Sequence, residues 1–308
     1  MQSRPTLPSY DDLPVIPELG LPHSWDHFGR DDPFGTLNLL TDDRVREAAG
    51  LVREGRVISL SLPADQPSPP LFGREPFRHE GFWIDRNTWD ERLDGYYPQS
   101  STQWDGFRHF RAREHGFYGG RTGDAPQGIG IEHWARRGIV GRGVLLDVEG
   151  HLRARGESIP HDERRIIPAT LLAEVAEAQG TDIRTGDILL VRTGWPAAYA
   201  ASGVALPSHP ELPGLEAGEP TARLLWDWHV AACVTDLPSV EPVPGDRATG
   251  SLHRRILALL GIPVGELFDL EELAGWRSES GRSEFLFTAA PFHLPEGAGS
   301  PGNALAIV

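Results

Sequence analysis

The sequence predicts an α/β fold, because strand-like and helix-like segments alternate through the second half of the chain. Three short apolar runs, at 143–148, 187–192 and 230–235, have the length and composition of buried strands. The segments at 168–180 and 221–229 separate these runs and carry apolar residues at helical spacing. Alternation of this kind is typical of α/β proteins.

The first helix is predicted to begin after Thr41 and to end at Gly55. Thr41 can cap the helix with its side-chain oxygen, which accepts a hydrogen bond from a free backbone N–H. Asp42 and Asp43 favour the same start, since acidic side chains are stabilised at the positive end of a helix. A strand at 57–62 is predicted to follow.

Proline, serine and glycine residues mark the predicted ends of the later helices. Pro168 suits the first turn of a helix, and Gly180 suits its end. Ser251 can cap a further helix, which the Gly-Ile-Pro sequence at 261–263 ends. A late strand is predicted at 285–288.

Residues 1–30 are predicted to form an extended N-terminal arm. Five prolines interrupt this segment, at Pro5, Pro8, Pro14, Pro17 and Pro22. Residues 31–308 are predicted to form one domain, because they contain neither an internal repeat nor a linker. A chain of 308 residues is long enough to bury a large core.

Composition excludes several classes of protein. The net charge of −15 argues against binding to nucleic acid or to anionic membranes. No basic and apolar leader or membrane-length apolar run is visible, so a cytoplasmic protein is expected. One cysteine, Cys233, allows neither an internal disulfide nor a cysteine zinc site, and its apolar surroundings predict buried packing.

The segment 99–110 contains the most informative cluster of polar residues. Gln103 and Asp105 are two residues apart, so they point the same way on an extended segment. Gly106 permits a turn that can bring His109 back towards them. A carboxylate and an imidazole held together can bind a divalent cation or perform acid–base chemistry. The alternative is a structural turn, in which the aspartate caps a helix and the histidine packs against phenylalanines.

Aromatic residues are concentrated around this cluster. Ten of the 26 aromatic residues fall within 82–118. They predict a pocket for a flat or apolar substrate, or equally a subunit interface or ordinary core. For the pocket, Trp83, Phe107 and His293 are the predicted substrate contacts.

A second group of polar residues lies later in the chain. Asp236 follows a predicted strand, His253 lies near a helix start, and Glu266 lies beyond the Gly-Ile-Pro break. A histidine at a helix start is more often structural than functional. The chain lacks a Gly-x-Ser-x-Gly nucleophile motif and a lysine-containing phosphate loop, and the Gly-Arg-Gly at 141–143 precedes a strand instead of following one.

These residues resemble the putative cyclase family, which includes bacterial kynurenine formamidase and isatin hydrolase. The resemblance rests on Asp-x-x-x-His at 105–109, Thr-Asp-x-Pro-Ser-Val at 235–240, and His253 with Glu266. Further similar blocks occur at 32–40, 186–194 and 299–303, so that the resemblance covers about residues 25–308. It implies a compact α/β domain with a mixed or barrel-like sheet flanked by helices, and a homo-oligomer.

The resemblance also implies roles for individual residues. Asp105, His253 and Glu266 match metal ligands, and His109 matches the proton-transfer residue. In the family signature His-x-Gly-Thr-His-x-Asp-x-Pro-x-His, four positions differ here, at Gln99, Ser101, Gln103 and Phe107. The two glutamines stand where the signature has ligand histidines.

The glutamines change the expected metal. Imidazole suits zinc, whereas a glutamine offers a neutral carbonyl oxygen, which is a weak and hard ligand. The expected ion is therefore Mn²⁺ or Mg²⁺ in preference to Zn²⁺, held by Asp105, His253 and Glu266, with Gln103 as a further candidate. A site without metal is the alternative.

Three functions follow as hypotheses. The first is a metal-assisted hydrolase of a cyclic amide, a lactone or an aryl-formamide, with His109 as the general acid and base. The second is a non-hydrolytic cyclase or dehydratase of a biosynthetic pathway, in which His109 and Asp105 work with little or no metal. The third is a binding protein without catalysis. All three take a small molecule, aromatic or apolar, as partner.

Overall fold

The computed structural model describes residues 7–207 and 209–308. Seven α-helices lie in these ranges: α1 Asp42–Ala49, α2 Glu132–Arg137, α3 Val148–Arg153, α4 Ala169–Gln179, α5 Trp195–Ser202, α6 Glu219–Asp227 and α7 Glu271–Ser280. A π-helical segment covers Arg254–Leu259, and four 3₁₀ turns lie at Tyr10–Asp12, Gly35–Leu39, Arg113–His115 and Tyr118–Gly120. None of the helices in the described ranges is long and apolar enough to cross a membrane.

Fifteen strands accompany these helices. They are β1 Val15–Ile16, β2 Leu21–Pro22, β3 Val57–Ser59, β4 Arg78–Trp83, β5 Trp89–Asp94, β6 Gln103–Asp105, β7 Ile139–Asp147, β8 Ile166–Ile167, β9 Ile188–Arg192, β10 Gly214–Leu215, β11 Ala232–Thr235, β12 Val264–Glu266, β13 Glu284–Ala289, β14 Gly299–Pro301 and β15 Ala304–Ile307.

Nine strands form the central sheet, in the order β14-β6-β12-β11-β9-β7-β13-β15-β3. The pairs β7–β9, β9–β11 and β11–β12 are parallel, and the pairs on either side of them are antiparallel. The expected α/β domain with a mixed sheet flanked by helices is therefore confirmed. Strands β9 and β11 are buried along their whole length, which explains their continuous apolar sequences.

Several predicted elements are present with different bounds. The Thr41 cap is confirmed, since its side chain accepts a hydrogen bond from the Arg44 backbone N–H. Helix α1 ends at Ala49 instead of Gly55, because the Gly50 N–H bonds back to earlier carbonyls and closes the last turn. The helix predicted after Ser251 is π-helical over Arg254–Leu259, where the Leu260 N–H donates to the Arg255 carbonyl at 3.0 Å.

The predicted N-terminal arm lies along the domain from residue 7 onward, whereas residues 1–6, and Pro5 with them, lie outside the described residues. Its side chains Leu7, Tyr10 and Leu13 are buried. The Trp25 indole N–H donates to the Ala258 carbonyl at 2.8 Å, which attaches the arm to the π-helical segment. The division of the chain at residue 30 stays a prediction.

The short strand β6 places the polar cluster at the sheet. It pairs with β12 on one side and with β14 on the other, and both pairings are antiparallel. The register sets Gln103 opposite Glu266 and Asp105 opposite Val264. Two segments more than 150 residues apart in sequence therefore meet here, since the bond between Gln103 and Glu266 spans 163 residues.

Candidate functional site

The centre of the site is the imidazole of His253, which precedes the π-helical segment. Its Nε2 lies 3.2 Å from Asp105 Oδ2 and 3.2 Å from Glu266 Oε1. Its Nδ1 lies 2.8 Å from Glu241 Oε2. The side chain of His253 is 8% exposed and that of Asp105 is 0% exposed. The late group of polar residues and the cluster at 99–110 therefore form one buried centre.

Gln103 and Glu266 form the second side of this centre. The Gln103 amide Nε2 donates to Glu266 Oε2 at 2.7 Å, and the Val240 backbone N–H donates to Glu266 Oε1 at 2.7 Å. The carbonyl oxygen Oε1 of Gln103 is buried and has no hydrogen-bond partner among the described residues. A buried acceptor without a donor costs free energy, and a cation can satisfy it.

His109 lies at the more open edge of the centre. The turn at Gly106 brings it back, since the His109 backbone N–H donates to the Gly106 carbonyl at 2.8 Å. Its side chain is 28% exposed, and its Nε2 lies 3.9 Å from Asp105 Oδ1. The Gln99 amide nitrogen contacts both Asp105 Oδ1 and, at 3.0 Å, His109 Nδ1. Because an amide nitrogen can only donate, Nδ1 accepts this hydrogen bond when the His109 ring is neutral.

The charges of the centre are strongly coupled. Burial raises the pKa of Asp105, but the positive charges of His109 and His253 outweigh burial and hold the pKa below its usual value. Burial and the neighbouring Asp105 charge raise the pKa of Glu266. Burial lowers the pKa of His253, yet the charge of Glu241 and the hydrogen bonds to Asp105, Glu241 and Glu266 raise it well above its usual value.

The donor set fits a divalent cation. Asp105, His109 and His253 each offer a ligand atom, and the three atoms lie within 4.8 Å of one another. Glu266 Oε1, 3.2 Å from His253 Nε2, adds an oxygen donor. The carbonyl oxygen of Gln103, whose amide nitrogen donates to Glu266, is unpartnered and is a further candidate donor. In this set Asp105, Glu266 and Gln103 supply oxygens while His109 and His253 supply nitrogens. The majority of oxygen donors suits a harder ion better than it suits zinc.

Glu241 belongs to the second group of polar residues in the sequence, at 235–241, and the structure shows that it supports His253. Its Oε2 accepts hydrogen bonds from both the backbone N–H and Nδ1 of His253, while its Oε1 accepts from the Ser251 hydroxyl at 2.7 Å. This arrangement fixes the ring and leaves Nε2 directed at Asp105 and Glu266. Metal-binding histidines are commonly held in this way by a carboxylate on the second nitrogen.

Asp236 does not belong to the centre. It is fully buried and accepts hydrogen bonds from the Thr193 backbone and hydroxyl and from the Gly194 backbone. Burial raises its pKa to about 6, against the lowering effect of these donors. Asp236 therefore joins the loops that follow β9 and β11.

The three predicted substrate contacts lie apart from the centre. Phe107 is fully buried against Tyr118 and Trp134, at ring distances of 4.3 and 5.1 Å. Trp83 is 63% exposed on the β4–β5 hairpin, and His293 accepts a hydrogen bond from Arg136 at 3.0 Å. Within the described ranges, no hydrogen bond, ion pair or ring contact joins these three residues to Asp105, His109 or His253. Their role towards substrate stays a prediction.

Two further residues are related to the centre: Phe110, from the aromatic group predicted around the cluster, and Arg74, which had not been predicted. The ring of Phe110 stacks on His253 at a centroid distance of 5.4 Å. Arg74 is half-buried, and burial lowers its pKa, while the negative charges of Asp105 and Glu266 act in the opposite direction. Arg74 comes from a loop rich in proline and glycine, where spacing carries no signal of long-range contact.

Comparison with known proteins shows to which family the chain belongs. The model of the putative cyclase family matches residues 58–242, which is more than half of the chain. A search of curated proteins gave no match. Among solved structures, one described as a novel cyclase is 28% identical, with a TM-score of 0.77, and the match covers 93% of this chain and 99% of the other.

Two isatin hydrolases share the fold at lower identity. Isatin hydrolase A from Labrenzia aggregata, bound to benzyl benzoate, is 18% identical with a TM-score of 0.62, over 85% of this chain and 95% of its own. An isatin hydrolase bound to the product analogue thioisatinate is 16% identical with a TM-score of 0.60, over 88% and 98%. With the match of the family model, these findings show that the chain belongs to the putative cyclase family.

Proposed function

We propose that the protein is a metal-dependent hydrolase that opens a cyclic amide, a lactone or an aryl-formamide. The observation that carries the proposal is the convergence of Asp105 and Glu266 on Nε2 of His253, beside the unpartnered carbonyl oxygen of Gln103. The hydrolases among the proteins of similar fold support the same reaction class.

Four residues would hold the metal in this proposal: Asp105, His253, Glu266 and Gln103. A divalent cation in this position supplies polarisation of the substrate carbonyl and a lower pKa for the attacking water. Mn²⁺ and Mg²⁺ are favoured over Zn²⁺, because oxygen donors outnumber the single imidazole. Glu241 keeps that imidazole in place through Nδ1.

His109 is proposed as the acid–base group, because it is the more exposed histidine of the centre. It takes a proton from the water as the water oxygen bonds to the carbonyl carbon. It then gives that proton to the leaving nitrogen or oxygen as the bond to the carbonyl carbon breaks.

A second candidate is a cyclase or dehydratase that needs no metal. One observation favours it. The positive charge of His253 already meets three carboxylates, those of Asp105, Glu241 and Glu266. In that case His109 and Asp105 would perform the proton transfers themselves.

Removal and return of metal tests the proposal. Probe substrates are a lactone, a cyclic imide and formanilide, measured before chelation, after chelation and after addition of Mn²⁺. We expect turnover of at least one probe to fall to the buffer level on chelation and to return with Mn²⁺. Full turnover by the chelated protein would refute the hydrolase mechanism and favour the metal-free candidate.

Gln103→His is expected to shift the metal preference towards zinc, because imidazole replaces a weak carbonyl donor. Competition between Zn²⁺ and Mn²⁺ for each protein measures the shift, and we expect the ratio of the two affinities to move by about tenfold or more, the effect of one good ligand. The matched control is Gln127→His, which adds a histidine at an exposed loop position. Equal selectivity in both variants would mean that Gln103 does not contribute a ligand.

A further inference from the structure

A cleft of about 620 Å³ opens beside the centre and carries three arginines. It is lined by Phe110, Arg111, Arg113, Glu114, Ser251 and Arg254. These residues come from the 3₁₀ turn at Arg113–His115 with the residues before it, and from the start of the π-helical segment. The cleft therefore combines an aromatic wall with a strongly basic rim.

The three arginine charges are not compensated by bonded partners. No side-chain hydrogen bond or ion pair of Arg111, Arg113 or Arg254 occurs in the described part of the chain. Elsewhere, arginines such as Arg142 and Arg192 pair with carboxylates at 2.8 and 2.7 Å. The chain as a whole carries a net charge of −15, so a cluster of arginines without bonded partners stands out from the rest of the protein.

The local acids and bases leave Arg254 without a partner. Its Nε is buried and lacks a hydrogen-bond acceptor. The charges of Arg113 and Arg255 act on it unfavourably, and Glu241 is the opposing charge. The Glu241 carboxylate, however, is already engaged by His253 and Ser251. Glu114 is the one carboxylate among the lining residues, and it faces the charge of Arg113 while three arginines line the cleft. An anion in the cleft would relieve the repulsion among the arginines.

Two residues that line the cleft contact residues of the centre. Phe110 lines the cleft and stacks on His253. Ser251 also lines it, and its hydroxyl donates to the carboxylate of Glu241 that holds His253. A molecule in the cleft therefore lies one layer of side chains from Nε2 of His253.

We infer that this cleft binds a carboxylate of the substrate, so that the substrate is an anionic amide, lactone or formamide instead of a neutral one. This inference rests on the proposed hydrolase function. The guanidinium groups of Arg113 and Arg254 match the two oxygens of a carboxylate, and such charge-assisted bonds are strong and directional. Phe110 offers an apolar surface to the ring that bears the carboxylate.

A binding experiment tests the cleft without any turnover. Benzoate is titrated calorimetrically into the wild type and the double variant Arg113→Gln/Arg254→Gln. We expect affinity to fall by about 10- to 100-fold, as for the loss of charge-assisted hydrogen bonds. Arg53→Gln is the matched control, since Arg53 is an exposed arginine between α1 and β3, and it should bind benzoate like the wild type. Arg111→Gln, at an exposed position, gives a second variant if the double variant does not fold.

Kinetics with two matched probes separates recognition from chemistry. Formanilide and formamidobenzoate differ by one carboxylate. In the double variant we expect the KM for formamidobenzoate to rise about 10- to 100-fold with kcat little changed, and the constants for formanilide to stay the same. Equal effects on both probes would overturn the inference.

The outcomes also distinguish this inference from the proposed function. If the wild type hydrolyses neither formamide probe yet binds benzoate through the arginines, the aryl-formamide form of the hydrolase proposal fails and the anion site stands. Benzoate binding that is equal in all variants overturns the anion site. A change in oligomeric mass of the arginine variants, with unchanged benzoate affinity, would assign the cleft to a subunit interface and likewise overturn it.

Discussion

Replacing His109 by alanine is expected to lower turnover by about 10²- to 10⁴-fold, the usual contribution of a positioned acid–base group. Metal content should stay the same, because the proposed ligands are Asp105, His253, Glu266 and Gln103, and His109 is assigned to proton transfer. Loss of metal from this variant would instead place His109 among the ligands. The physical reason is its place at the edge of the centre: its side chain is 28% exposed, while Asp105 beside it is 0% exposed. His109 can therefore contact a bound substrate and exchange a proton with it, whereas the buried Asp105 cannot.

The alternative for His109 is a structural role, and it predicts a different result. Loss of its contacts with Gln99 and Phe110 would then lower the melting temperature and leave the rate per folded molecule almost unchanged. Turnover, metal content and melting temperature are measured on one preparation. His133→Ala is the matched control, since its side chain is 27% exposed and lies beside Glu132, outside the centre. A destabilised but fully active His109→Ala protein would remove His109 from the mechanism.

Asp105→Asn is expected to abolish metal binding and to lower turnover by about 10³-fold or more. Polarisation by a bound cation is worth several kcal/mol, and about 1.4 kcal/mol corresponds to a tenfold change in rate. Asparagine keeps the shape of the side chain but removes the charge that faces His253 and His109. Turnover and metal content of the folded variant are the measurements.

A second buried aspartate provides the control for this prediction. Asp236→Asn removes an equally buried carboxylate that holds Thr193 and Gly194 instead of the centre. We expect this control to lose stability while it retains metal and turnover per folded molecule. Retention of metal by Asp105→Asn would contradict the assignment of Asp105 as a ligand.

Much of the fold is predictable from the sequence where an element carries its own signal. Strands β7, β9 and β11 each contain a short, mostly apolar run, and α4 has proline before it and glycine after it. Strands β6, β12 and β14 have three residues each, which is too short for a periodic pattern. These three segments are extended because they hydrogen-bond to neighbouring strands of the sheet. Pairing between distant segments is not visible in the local sequence.

The residues of the site likewise fall into those with a signal in the sequence and those placed by long-range packing. The spacing of Asp105 and His109 is a local signal, and the family resemblance pointed to His253 and Glu266. The contacts of His253 with Glu241 and Phe110, and the approach of Arg74, depend on the packing of distant loops. Local spacing could therefore indicate Asp105 and His109, and the resemblance His253 and Glu266, but neither could indicate which contacts hold these residues together.

The content of divalent metal in protein purified without chelator tests the central claim most directly. The account predicts close to one divalent ion per chain in the wild type, with manganese or magnesium in preference to zinc, and none in Asp105→Asn. Metal-free wild-type protein that turns over its substrate at full rate would contradict the account. His253 would then serve as the permanent counter-charge of Asp105, Glu241 and Glu266, and not as a metal ligand.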